Sequence, residues 1–291
     1  MAKSNLKIKK AGSKANLSVV KESNIKTTSY SDINLKAWRD YDHVKTDTLW
    51  EFPNRLKEGG HSNEYHGNYI PQIAQQIYER YTKKNDIVLD LFFGSGTSGI
   101  EAINMNRRCI GVELKDELAE KVSEKFTAKQ LVTDVNIICA DSASELAKEK
   151  IKARLDIMGK KQAQLLMLHP PYDDIIKFSD KKEDLSNCAT TEEFYDLFEK
   201  VAKNGYDLLE KGRFACLIIG DKYANSQHIP LGFECMARMN KLGFITKAII
   251  IKDMQGNERA KGKTANLWRY RALAGGFYIF KHEYVMVFQK P

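Results

Sequence analysis

The chain has 291 residues, 43% of them hydrophobic, and a formal net charge of +8. No apolar run approaches the ~20 residues that a membrane span needs, and the basic start MAKSNLKIKKAGSKANLSVV has no apolar core of signal-peptide length, so a cytoplasmic location is expected. The five cysteines (Cys109, Cys139, Cys188, Cys216, Cys235) form no CxxC pair, and the six histidines show no metal-ligand spacing, which argues against a disulfide frame or a zinc site.

Residues 1–30 carry most of the charge excess: Lys3, Lys7, Lys9, Lys10, Lys14, Lys21 and Lys26 stand against Glu22 alone. They are polar and non-periodic, and read as a basic flexible arm. Such an arm suits nucleic-acid phosphates or serves as a solubilising tail. Residues 31–66 hold Trp38, Tyr41, Trp50, Phe52 and Tyr65 without clear periodicity, and read as a short helix plus loops.

From Ile70 the pattern is regular. IPQIAQQIYERYTKK places Ile70, Ile73, Ile77 and Tyr81 at helical spacing with Pro71 in the first turn. Then come strand DIVLDLFF, a glycine-rich turn into helix GSGTSGIEAINMNR, strand RCIGVE, helix KDELAEKVSEKFTAK, strand NIICAD, helix SASELAKEKIKARLDIMG and strand LLMLHPPY. TEEFYDLFEKVAKNGYDLLEKG reads as one long helix. Strand RFACLIIGD, helix IPLGFECMARMNKLG, strand FITKAIIIK, an exposed loop and strand EYVMVFQK follow. Apolar strands alternating with helices indicate an open, mostly parallel α/β sheet covered on both faces. No second-domain boundary is visible over 31–291.

VLDLFFGSGTSG contains G-x-G-x-x-G at Gly94, Gly96 and Gly99. Alone this is a weak signal: glycines let a turn bring backbone amides close to a ligand at a helix N-terminus, which suits a dinucleotide or S-adenosylmethionine. Glu113 ends the next strand, where a carboxylate can accept both ribose hydroxyls, and Asp141 ends the third, within reach of an adenine amino group. Acids at strand ends also cap helices. Asp90, Glu113 and Asp141, at three successive strand ends behind a glycine turn, favour a cofactor site.

DLFFGSGT resembles the S-adenosylmethionine motif of the DNA amino-methyltransferases that modify adenine N6 or cytosine N4, Asp-x-Phe-x-Gly-x-Gly-Thr, through Asp90, Phe92, Gly94, Gly96 and Thr97. The resemblance spans roughly Trp50 to Lys290. It implies a Rossmann-like methyltransferase fold with a seven-stranded sheet, the last strand antiparallel. It also implies that those five residues, with Glu113 and Asp141, hold S-adenosylmethionine. HGNYIPQIAQQIYERYTKKNDIVLD resembles the family segment that closes over the methionine end of the cofactor.

The family's second motif, Asp/Asn/Ser-Pro-Pro-aromatic, is matched by His169, Pro170, Pro171 and Tyr172. A base's exocyclic amine is a poor nucleophile because its lone pair is delocalised into the ring. Acceptors on its two N–H groups favour the tetrahedral geometry needed for attack. The resemblance assigns these roles to the side chain at 169 and the carbonyl of Pro170, held by proline's fixed φ. Tyr172 is then the stacking platform for a flipped-out base. His169 departs from the pattern. A neutral imidazole still accepts one N–H and can take the leaving proton, but the usual clue to the target base is lost.

The expected activity is methylation of an exocyclic amine in DNA, adenine N6 ahead of cytosine N4, by a restriction-modification type of enzyme. Residues 252–282 interleave Lys252, Arg259, Lys261, Lys263, Arg269 and Arg271 with Trp268 and Tyr270, and read as a target-recognition loop, with Lys261, Lys263, Trp268, Arg269 and Arg271 on the DNA. An exposed hairpin link is the plainer alternative. The charged loop DDIIKFSDKKEDLSN is expected to close over the target base. With no large recognition domain, a second copy or a partner subunit is a possible source of sequence recognition. Two rivals stay open: an RNA methyltransferase of the guanine-N2 type, and a non-catalytic methyltransferase-like subunit that binds nucleic acid.

Overall fold

The computed structural model describes residues 26–56, 59, 61, 67–131, 133–254 and 265–291. Most of the expected basic arm lies outside the described residues.

After a 3-10 helix at Leu35–Tyr41 the elements are β1 (Leu49–Trp50), α1 (Pro71–Tyr81), β2 (Ile87–Asp90), α2 (Thr97–Asn104), β3 (Arg108–Glu113), α3 (Asp116–Ala128), β4 (Val135–Cys139), α4 (Glu145–Ile157) and β5 (Ala163–Leu168). Two short 3-10 turns lead to α5 (Thr191–Leu208), β6 (Leu209–Ile219), the hairpin β7 (Lys222–Ala224) and β8 (Gln227–Ile229), α6 (Leu231–Lys241), β9 (Ile245–Asp253), α7 (Ala265–Gly275) and β10 (His282–Gln289). Among the described residues no helix is long and apolar enough to cross a membrane.

The main sheet runs β1-β9-β10-β6-β5-β2-β3-β4. β2 through β6 pair in parallel, and β10 runs antiparallel between β6 and β9. The expected α/β class and the antiparallel last strand are therefore present. The sheet has eight strands rather than seven, because Leu49–Trp50 adds in parallel to the edge of β9. Two residues are too few to show a period, yet Trp50 is 1% exposed and closes that edge.

Every residue of β2 and β5 is buried, as expected of parallel strands covered on both faces. Alternate side chains of β5 go to opposite sides. Leu166 and Leu168 join the core under α4, α5 and α6 with Leu155, Phe198 and Met239, while Leu165 and Met167 join Ile73, Tyr78 and Phe126 of α1 and α3.

Three further boundaries differ from the sequence reading. The long helix ends at Leu208 and LEKG belongs to β6, where the Gly212 amide bonds Lys290 O at 2.8 Å, so the sheet rather than helix propensity claims these residues. KYANSQHI folds into a hairpin whose turn residues Asn225 and Ser226 both have positive φ (51° and 60°). The expected exposed loop at 252–282 contains α7.

The chain steps outward from β2 through β3 to β4, then crosses back to β5 on the other side of β2. Ligands bind outside the carboxyl ends of strands at such a switch point. With Asp90 paired to Met167, the glycine turn and the HPPY motif leave the sheet side by side.

Candidate active site

On the β2 side the turn is built from backbone. Gly94 and Gly96 have φ of 53° and 87°, a region that side chains disfavour. At Gly96 a Cβ would also lie 3.1 Å from Val122 Cγ1 of α3. Asp90 is 1% exposed. Its carboxylate accepts from the Phe92 amide at 2.9 Å and from Ser98 Oγ, which in turn meets Tyr69 OH at 2.5 Å. Burial pushes the Asp90 pKa up to about 6. Asp90, Gly94 and Gly96 thus shape the turn from behind and contribute no side chain to the cavity wall.

The cavity has a volume of about 660 Å³ and is walled by Phe92, Thr97, Glu113 and Asp141 at one end and by His169, Pro170, Pro171 and Tyr172 at the other. Glu113 Oε2 accepts the Gly94 amide at 2.8 Å and Oε1 the Lys115 amide at 2.9 Å, and burial raises its pKa. Asp141 Oδ1 accepts the Ala143 amide at 2.9 Å. All of these hydrogen bonds join residues close in the chain or on adjacent strands.

The β5 side is built from side chains far apart in sequence. Tyr172 OH donates to Glu283 Oε2 of β10 at 2.8 Å and lies 3.4 Å from His169 Nε2. Glu283 Oε1 sits 3.0 Å from Lys252 Nζ of β9, and these side chains are 8% and 1% exposed. Lys252 is therefore a buried partner of the site, not part of the exposed loop expected at 252–282. Burial pulls the His169 pKa down to about 4, so the ring is neutral and keeps a lone pair near pH 7. Burial and then the Glu283 carboxylate drive the Tyr172 pKa well above its ordinary value, so its hydroxyl keeps its proton. The Tyr172 ring lies on Gly220, where an added Cβ would meet Cε2 at 2.9 Å. Tyr69 meets His169 edge-on at 5.3 Å, linking the two ends of the cavity.

The loop after HPPY completes the wall with Ile175, Ile176, Phe178 and Glu183. It is tied down rather than hanging free. Asp173, at φ 53°, accepts from Lys222 Nζ at 2.6 Å and Thr191 Oγ1 at 2.8 Å, and Lys181 Nζ donates to Leu114 O at 2.8 Å. Asp221 accepts from Gly232 N at 3.0 Å and Tyr284 OH at 3.0 Å, which makes it part of the scaffold.

Of the expected DNA-contacting residues, the described ones, Trp268, Arg269 and Arg271, do not wall the cavity. Trp268, Arg269 and Arg271 sit on α7, where the Arg271 guanidinium lies 5.4 Å from the Trp268 ring centre. Lys261 and Lys263 lie outside the described residues. Sequence reasoning missed Glu283, placed Lys252 in an exposed loop, and covered Asn68 and Tyr69 only within the segment expected over the methionine end of the cofactor. The acid in KHEYVMVF, at the mouth end of a buried strand, was the available signal for Glu283.

A group with the parts of S-adenosylmethionine fits this cavity. Its volume lies within the ~300–1,000 Å³ usual for ligand pockets. Carboxylates stand at the ends of two successive strands, and Asn68 Nδ2, a buried donor on the wall, has no hydrogen-bond partner among the described residues.

The family model N6_N4_Mtase, described as DNA methylase, matches residues 4–125 and 163–291. Over 100 residues, 33% of this chain, the sequence is 35% identical to the probable type III restriction-modification enzyme HindVI Mod subunit of Haemophilus influenzae. Over 112 residues, 38% of this chain, it is 32% identical to the DNA adenine methyltransferase YhdJ of Escherichia coli. These stretches cover 13% and 35% of those relatives' own lengths. Among solved structures, TrmN from Thermus thermophilus aligns at TM-score 0.48 and 15% identity, over 78% of this chain and 50% of that one.

Proposed function

Because the chain belongs to the DNA methylase family, we propose that it transfers a methyl group from S-adenosylmethionine to the exocyclic amine of a flipped-out base in DNA. Adenine N6 stands first, since one relative is named a DNA adenine methyltransferase; cytosine N4 stands second. The observation that carries this reading is the single cavity walled by Glu113 and Asp141 at one end and His169 to Tyr172 at the other.

Glu113 holds the ribose hydroxyls, Asp141 the adenine amine of the cofactor, and Phe92 and Thr97 line its seat. Asp90, Gly94 and Gly96 set the shape of that seat. When bound, S-adenosylmethionine supplies a methyl group already activated on a cationic sulfur. The protein's work is then positioning and electrostatics. His169, neutral, accepts one N–H of the target amine, and the carbonyl of Pro170 accepts the other. Pro170 and Pro171 stiffen the approach, and Tyr172 lies against the base. Arg269, Arg271 and Trp268 of α7, together with Lys261 and Lys263, track the DNA backbone outside the cavity. Residues 31–291 act as one methyltransferase domain in the cytoplasm. A second copy or a partner subunit contributes to site recognition, as the name of the Mod-subunit relative suggests.

The test is transfer of a labelled methyl group to mixed-sequence duplex DNA and to total RNA, with nucleoside analysis of the product. N6-methyladenine or N4-methylcytosine in DNA is the expected result. Label confined to RNA, or no label despite cofactor binding, overturns the proposal.

A further inference from the structure

Tyr172 has one hydroxyl proton and, among the described residues, two polar neighbours, Glu283 Oε2 at 2.8 Å and His169 Nε2 at 3.4 Å. Glu283 turns one carboxylate oxygen to Lys252 Nζ at 3.0 Å and the other to Tyr172, and a carboxylate oxygen accepts. The proton of Tyr172 therefore goes to Glu283. The phenol, with its one O–H directed at Glu283, offers His169 only a lone pair. A neutral imidazole can use that lone pair only if Nε2 carries its hydrogen, which leaves Nδ1 as the ring's one acceptor.

We infer that Glu283 is a positioning residue that sets the tautomer of His169 through Tyr172, so that Nδ1 is offered to the target amine. The inference deepens the methyl-transfer reading and rests on it. It also accounts for a histidine where the family motif has an acid, amide or hydroxyl. Asp, Asn and Ser each present an acceptor oxygen without further help. A histidine presents an acceptor nitrogen on the required side only when its tautomer is fixed, and here the fixing group arrives from β10, 111 residues beyond Tyr172. Lys252 holds that carboxylate in place from β9. Tyr69 also packs edge-on to the imidazole at 90°.

The relay is read directly by 15N NMR of histidine-labelled protein, with the His169 signals assigned by their loss in His169→Gln. The full chain is used, and no substrate is needed. The native protein is expected to show the Nε2–H tautomer. Tyr172→Phe removes the bridging oxygen and should abolish the preference. Replacing both buried charges, Lys252→Met with Glu283→Leu, avoids stranding either one. It frees the Tyr172 proton to turn to Nε2, so the ring should switch to Nδ1–H. An Nδ1–H tautomer in the native protein, or a preference unchanged in Tyr172→Phe, overturns the relay.

Single-turnover transfer supplies the second arm. The Lys252→Met/Glu283→Leu change should slow transfer by about tenfold or more in the native background and leave the rate unchanged when Tyr172 is already Phe, as expected for residues acting through one another. Effects that multiply would mean Glu283 acts by another route. If no native transfer is found, the methyl-transfer reading fails while the NMR arm still reports on the relay. If transfer is found with the wrong tautomer, the inference alone fails.

Discussion

The two ends of the cavity are made differently. At the cofactor end the acids are tied to backbone amides: Asp90 to Phe92, Glu113 to Gly94 and Lys115, Asp141 to Ala143. At the amine end the chain from His169 through Tyr172 and Glu283 to Lys252 runs entirely through side chains drawn from three strands' ends. A backbone-tied site tolerates change around it, because the turn that holds it also folds it. A side-chain relay fails at any link. The first arrangement suits a cofactor common to many methyltransferases. The second lets the target motif vary, provided that distant residues vary with it.

The largest way to separate the two ends is Lys252→Met. Removing one partner of a buried ion pair leaves the other uncompensated, which costs about 3–5 kcal/mol. Urea unfolding should show that loss, and the added change Glu283→Leu should recover most of it. Next comes Glu113→Gln. Two backbone amides point at the carboxylate, and an amide side chain can satisfy only one of them while setting its own donors against the other. Losing hydrogen bonds to a charged group, worth about 1.5–3 kcal/mol each, should weaken cofactor binding by about ten- to a hundredfold in titration calorimetry.

Gly220→Ala probes the amine end alone. Its Cβ would press on Tyr172 Cε2, at 2.9 Å, and the ring cannot retreat without leaving Glu283. Overpacking of this kind costs about 1–3 kcal/mol. Transfer should slow while cofactor affinity stays at the native value.

The finest contrast is in the pH dependence of stability, where the two ends have opposite signs. Burial holds the folded His169 at about 4 against an ordinary value of about 6.5, so between these limits the unfolded chain binds more protons and stability rises with pH. Asp90 titrates at about 6 against 3.8, so the folded chain holds the extra proton and stability falls as pH rises through that range. The stability difference between native protein and His169→Asn should therefore shift in favour of the native protein from pH 4 to 6.5. The difference against Asp90→Asn should shift the other way from pH 4 to 6. At about 1.36 kcal/mol per unit, each shift is expected to reach about 2–3 kcal/mol, and unfolding midpoints at three pH values would show it.

The same contrast explains what could be read from the sequence. The glycine turn, Glu113 and Asp141 fall at strand ends that apolar runs delimit, so local pattern locates them to within a residue or two. HPPY was visible as a stiff strand terminus. Glu283 was not, because an acid in a strand acquires meaning only when the strand inserts between β6 and β9 and brings it to Tyr172. Lys252 was misplaced for a related reason: basic residues near a sequence loop resemble a phosphate-binding patch, and only tertiary contact reveals that this one is buried. Trp50 in β1 and the hairpin of β7 and β8 escaped because each is shorter than the window over which a period shows.

His169→Ala tests the division of labour most directly, with cofactor affinity and single-turnover methyl transfer to DNA measured on the same preparation. The account predicts a cofactor dissociation constant like that of the native protein together with a transfer rate lower by about 10²–10⁴, the range for loss of a positioned proton acceptor. Cofactor binding lost in step with the rate, or a rate left unchanged, would contradict it.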